Sequence, residues 1–94
     1  MSKGWTYREG LGYLSSIQPL LSRRGFGGRI IGSVAEKGSS LHDLDILLTP
    51  TRGDSDFEPL MDELPFGNFT FEMESYEYFL PDGRVVDLWF EEKL

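Results

Sequence analysis

The chain has 94 residues, 39% hydrophobic and 14% aromatic, which excludes a disordered polymer and predicts one domain over residues 1–94. A net charge of −7 disfavours sequence-independent binding to nucleic acid, because phosphates are repelled. No cysteine and a single histidine, His42, are present, so disulfides, thiolate metal sites and polyhistidine clusters are excluded and any metal must be held by oxygen.

In chain order, "MSKGWTYREG" has no apolar core of signal-peptide length, and no window approaches the ~18 apolar residues of a membrane span. The expectation is a cytoplasmic protein without membrane contact. Residues 7–24 read as a helix, with Tyr7, Leu11, Leu14, Ile17 and Leu21 at three- and four-residue spacing and Leu20 beside them. Gly10, Gly12 and Pro19 interrupt it. Interior Gly costs about 1 kcal/mol and Pro about 3, so the expected helix starts near Gly12 and bends at Pro19. "RRGFGG" closes it, with two cations where the macrodipole favours them.

"RIIGS" reads as a short strand entering a turn, and "LDILLT" as a second strand stopped by Pro50. Asp54 or Ser55 is the expected cap of a short helix reaching about Leu64. "NFTFEMESYEYFL" alternates, with Phe69, Phe71 and Met73 on one face and Thr70, Glu72 and Glu74 on the other. The acids of "EMESYEYF" read as a solvated strand face. Pro81-Asp82-Gly83 is turn chemistry, and "RVVDLWF" returns from it, which predicts a β-hairpin over residues 76–90. The fold class is α+β, with a small mixed or antiparallel sheet and helices on one face.

Two acids open the second strand. Asp43 and Asp45 share a strand face, ~7 Å apart along the chain, while Leu44, Ile46 and Leu48 face the other way. Close carboxylates repel, and half-burial raises the pKa of at least one; a divalent cation removes the repulsion. Asp87 interrupts "RVVDLWF" in the same way, and a lone carboxylate there needs a partner or ligand. If its strand neighbours the one bearing Asp43 and Asp45, three carboxylates converge. The alternative for Asp87 is an ion pair with Arg29 or Arg84. Upstream, Gly32 permits close backbone approach and Ser33 offers a hydroxyl for an anion. Lys37 and Gly38 could extend that cradle.

Gly32-Ser33, nine intervening residues, Asp43-Leu44-Asp45 and an apolar run, with Asp87 on a later strand, resemble the nucleotidyltransferase signature of the DNA polymerase beta superfamily. The resemblance covers most of the chain and implies a palm-like nucleotidyltransferase fold. It implies that Ser33 contacts the terminal phosphates of ATP or another nucleoside triphosphate, with Gly32 and Lys37 in the nucleotide-binding set. Asp43 and Asp45 would ligate two Mg²⁺ ions (Mn²⁺ being the substitute). Asp87 would hold the catalytic ion and help activate the acceptor hydroxyl. Lys37 is the first cation after Ser33, because Val34, Ala35 and Glu36 intervene.

The chain is similar to minimal members of that family, which pair with helical HEPN-type proteins in toxin–antitoxin modules. The expected reaction is transfer of a nucleoside monophosphate to a hydroxyl of a protein or nucleic acid, the latter disfavoured by charge. A protein partner or homo-oligomer is expected. The alternative is an antitoxin-like binding module with weak or no catalysis.

Overall fold

The computed structural model describes residues 4–64, 70–72 and 75–91. Its long helix, α1 (Tyr7–Arg23), starts well before Gly12. The cause is a capping box: Glu9 N donates to Thr6 Oγ1 at 3.1 Å, and Thr6 N donates back to Glu9 Oε1 at 3.0 Å. Gly10 is buried where α1 crosses the sheet, and a Cβ there would lie 2.8 Å from Leu44 Cδ1. Its cost to the helix is thus exchanged for close packing. The buried stripe is Gly10, Leu14, Ile17 and Leu21. Tyr7 and Leu11, expected on that stripe, are 41% and 46% exposed. Pro19 sits at an exposed position inside the helix, which continues past it to Arg23.

After α1 come β2 (Phe26–Ile31), the short α2 (Gly32–Lys37) and β4 (Asp43–Pro50). Two-residue strands β1 (Trp5–Thr6) and β3 (Ser39–Ser40) pair with each other. Next come α3 (Phe57–Glu63), β5 (Thr70–Glu72), β6 (Ser75–Phe79) and β7 (Val85–Phe90). The main sheet has the order β2-β4-β7-β6-β5. Only β4 and β7 run parallel; the other neighbours are antiparallel. This is an α+β domain with a mixed sheet. The β6–β7 hairpin turns at Pro81–Gly83, where Leu80 N donates to Arg84 O at 2.8 Å and Gly83 takes φ 89°.

Three further sequence expectations change. Asp56, rather than Asp54 or Ser55, caps α3, accepting from Glu58 N at 3.1 Å. Ser55 is committed elsewhere: it is buried and its Oγ donates to Gly25 O at 2.6 Å. The run over 68–80 yields two antiparallel strands, β5 and β6, instead of one. The expected alternation of Phe69 through Glu74 falls largely outside the described residues. The third change is α2, which occupies what reads as a turn.

One face of the sheet is apolar. Phe26, Leu44, Ile46, Leu48, Tyr78, Val86 and Leu88 join Leu14, Ile17 and Leu21 of α1 in one buried cluster. Gly28 lets the helix approach, since a Cβ there would lie 3.0 Å from both Leu14 Cδ1 and Leu21 Cδ1. The Tyr13 and Tyr78 hydroxyls hydrogen bond to each other across this layer. Trp5 is buried, donates from Nε1 to Val85 O at 2.9 Å, and carries the Arg84 guanidinium 4.0 Å above its ring. No helix among the described residues is long and apolar enough to cross a membrane.

Candidate metal centre

Alternation along β4 buries Leu44, Ile46 and Leu48 against α1 and sends Asp43 and Asp45 to the opposite face. The parallel neighbour β7 places Asp87 directly beside Asp45. Strand β6 then places Glu77 directly beside Asp87. Asp45, Asp87 and Glu77 therefore form one row across three adjacent strands, with Asp43 one pleat along β4. Carboxylate oxygens of Asp43, Glu77 and Asp87 lie within 4.8 Å of one another.

Asp87 is only 7% exposed, and its Oδ1 is buried with no hydrogen-bond partner among the described residues. Its pKa is pushed up to about 8. Burial is the largest cause, followed by hydrogen bonding to Asp43 and the charges of Asp43, Asp45 and Glu77. Burial also raises the Asp45 carboxyl, as does the charge of Asp43. Hydrogen bonds from the Trp89 indole (Nε1 to Oδ1, 3.1 Å) and with Asp87 oppose that rise.

Among the described residues, no lysine, arginine or histidine forms an ion pair with any of these four acids. The ion pair considered for Asp87 is absent. Arg84 instead holds Asp82 at 2.8 Å and Glu9 at 3.6 Å, and Arg29 is exposed on β2.

Gly32 enters the site through the β2–β4 ladder, which pairs Ile31 with Asp45. It opens α2 in the left-handed region, at φ +69°, and a Cβ there would sit 2.5 Å from Asp45 Oδ2. Only glycine satisfies both constraints. Gly32→Ala should therefore lower stability by about 1–2 kcal/mol and displace the Asp45 carboxylate. Gly12 is the contrast: exposed on α1, with nothing within 4 Å of a Cβ, so Gly12→Ala should raise stability by about 0.5–1 kcal/mol. Urea unfolding of the two variants should show opposite shifts of midpoint.

Ser33 follows Gly32 in the first turn of α2 and is exposed; Lys37 is exposed in its last turn. Neither side chain has a polar partner among the described residues; Ser33 directly follows Gly32, the residue whose Cβ position abuts Asp45. His42 is exposed and precedes Asp43. A recess of about 530 Å³ lies on the α1 side of the sheet, lined by Tyr13, Ile17, Leu20, Leu80 and Arg84 among others, and includes none of the four acids.

Glu77 is the site residue that the sequence reading assigned to a solvated face. A signal for it exists in the hairpin. A turn centred on Asp82 pairs residues equidistant from it, as Tyr78 pairs with Val86 and Glu77 with Asp87. Tyr76 and Tyr78 pack with the core, which turns Glu77 to the acid face. Neither a protein-family model nor a curated protein matches the chain.

Proposed function

We propose that this chain transfers a nucleoside monophosphate from a nucleoside triphosphate to an acceptor hydroxyl, using a palm-like nucleotidyltransferase fold. The carrying observation is the meeting of Gly32 with the Asp45 carboxylate on the sheet face where Asp43 and Asp87 also converge. The donor set is all oxygen, no cation among the described residues compensates it, and one buried carboxylate oxygen lacks a partner. Such a set fits a hard divalent ion, Mg²⁺ or Mn²⁺, held by Asp43, Asp45 and Asp87. When bound, the ion neutralises triphosphate charge and the charge that develops during in-line displacement.

The chain's own groups do the rest. Ser33, exposed beside Gly32, donates its hydroxyl proton in a hydrogen bond to a terminal phosphate oxygen. The Trp89 indole holds Asp45 Oδ1 in place. Asp87, ionised when a cation is held there, receives the acceptor's hydroxyl proton. The acceptor oxygen bonds to the α-phosphorus, the bond to the bridging oxygen breaks, and pyrophosphate leaves. Nucleoside triphosphates are cytoplasmic, so that compartment accompanies this reading.

The test is incubation of purified protein with Mg²⁺ or Mn²⁺ and each α-labelled triphosphate, with and without cell extract as acceptor source. Label transfer with stoichiometric pyrophosphate release, abolished by EDTA, is expected. No label and no pyrophosphate with any triphosphate would overturn the reading. The recess beside α1 and the exposed Tyr7 and Leu11 favour a second reading, a docking module for a partner protein. Metal-independent complex formation without any transfer would decide for it.

A further inference from the structure

The geometry points to Glu77 as an additional cation ligand, forming with Asp43 and Asp87 a subsite centred on Asp87, with β4 on one side and β6 on the other. This deepens the reading above and rests on it for the identity of the ion. Three observations carry it. First, oxygens of Asp43, Glu77 and Asp87 lie within 4.8 Å of one another. Two oxygens on opposite sides of one Mg²⁺, each at about 2.1 Å, are about 4.2 Å apart, so a small side-chain adjustment closes this cluster on a shared ion.

Second, Asp87 is nine-tenths buried, and its Oδ1 has no hydrogen-bond partner among the described residues. A buried polar atom of that kind is satisfied by an ordered water or an ion where no protein group reaches it. Third, Glu77 sits directly opposite Asp87 across the β6–β7 ladder. Like charges in that position destabilise a sheet, and no basic side chain among the described residues pairs with either. Across β7 from Glu77, Asp45 is steadied by the Trp89 indole at Oδ1, and Gly32, having no Cβ, leaves room beside its Oδ2.

The experiment titrates Mn²⁺ into nucleotide-free protein by calorimetry, at one pH and ionic strength. Four proteins are compared: wild type, Glu77→Gln, Glu77→Asp and Glu36→Gln. Glu36 is exposed on α2 and controls for loss of one negative charge. Glu77→Gln should weaken Mn²⁺ binding at least tenfold. Glu77→Asp keeps the charge but shortens the reach, and should also weaken it several-fold. Glu36→Gln should bind as wild type does.

Equal affinity in wild type and Glu77→Gln overturns the subsite. So does Glu77→Asp binding as wild type while Glu36→Gln binds as weakly as Glu77→Gln, since Glu77 would then supply only general charge. Circular dichroism and melting curves of each variant show whether the fold is kept, and Glu77→Asp serves if Glu77→Gln fails to fold. The two readings fail separately. Glu77-dependent Mn²⁺ binding in a protein without transfer upholds this subsite and removes the transferase. Transfer in a protein whose Mn²⁺ affinity ignores Glu77 does the reverse.

Discussion

Asp87→Asn should lower nucleotidyl transfer by about a thousandfold or more, which corresponds to roughly 4 kcal/mol of barrier. Asp87 lies between Asp45 and Glu77 in the row and touches the oxygen cluster with Asp43. In the proposed reaction the amide keeps the size of the side chain but loses both a charged donor for the ion and the base for the acceptor's proton. Loss of a single preorganised electrostatic group commonly costs two to three orders of magnitude, and here two roles coincide. The fold should survive, because the substitution replaces a carboxyl that the metal-free protein already holds neutral near pH 7. The measurement is the single-turnover rate of label transfer for both proteins at saturating Mg²⁺. A variant within tenfold of wild type would place the chemistry away from Asp87.

Without metal, stability should fall as pH rises from about 4 to about 8, and the same variant should remove most of that fall. The Asp87 carboxyl titrates near 8 in the folded protein, against its ordinary 3.8. Between those values the folded chain keeps a proton that the unfolded chain releases, so each step up in pH favours unfolding. The slope is at most about 1.4 kcal/mol per pH unit. The stabilising contribution is complete below the unfolded pKa and gone above the folded one. The raised pKa of Asp45 acts in the same direction.

In EDTA at pH 8, Asp87→Asn should therefore melt above wild type. Mg²⁺ should reverse the order, because it binds the ionised wild-type site. At ten times its dissociation constant it adds about 1.4 kcal/mol, roughly 5–10 °C of melting temperature for a domain this size. Melting curves from pH 4 to 8, with EDTA and with Mg²⁺, check both halves. A flat wild-type profile in EDTA would mean that the carboxylates are solvated and uncoupled.

Alternation made part of this site readable before any coordinates. The apolar set Leu44, Ile46 and Leu48 is enough to put Asp43 and Asp45 together on the other face. The turn Pro81-Asp82-Gly83 announces the hairpin that carries Asp87. The α+β class follows from the same patterns. What alternation does not encode is which strand lies beside which. The parallel β4–β7 pairing is a long-range contact that brings Asp45 beside Asp87. Glu77 is hidden for a related reason: an acid among acids in "EMESYEYF" reads as solvated until the hairpin register sets it against Asp87.

Helix propensity at Gly10 and Gly12, taken alone, places the start of α1 too late. The Thr6–Glu9 capping box and the tight approach of Gly10 to Leu44 outweigh it. Tyr7 and Leu11 fit a helical period, yet Gly10 takes the place against the sheet that would bury them.

The sheet order also bears on how the molecule assembles. Strand β7 is last of the described strands in sequence but lies between β4 and β6 in space. Its parallel partner β4 is separated from it by the whole of α3, β5 and β6. Pairings of that range are late and slow events in folding. Until β7 inserts, β4 carries an unpaired edge on the side away from β2, β6 carries another, and Asp43 and Glu77 have nothing between them. Closure of the sheet and assembly of the acidic cluster are thus one kinetic event. During synthesis neither can precede emergence of the segment 85–90 from the ribosome. A chain arrested before that point is a helix with an open hairpin and loose strands, prone to edge-to-edge aggregation.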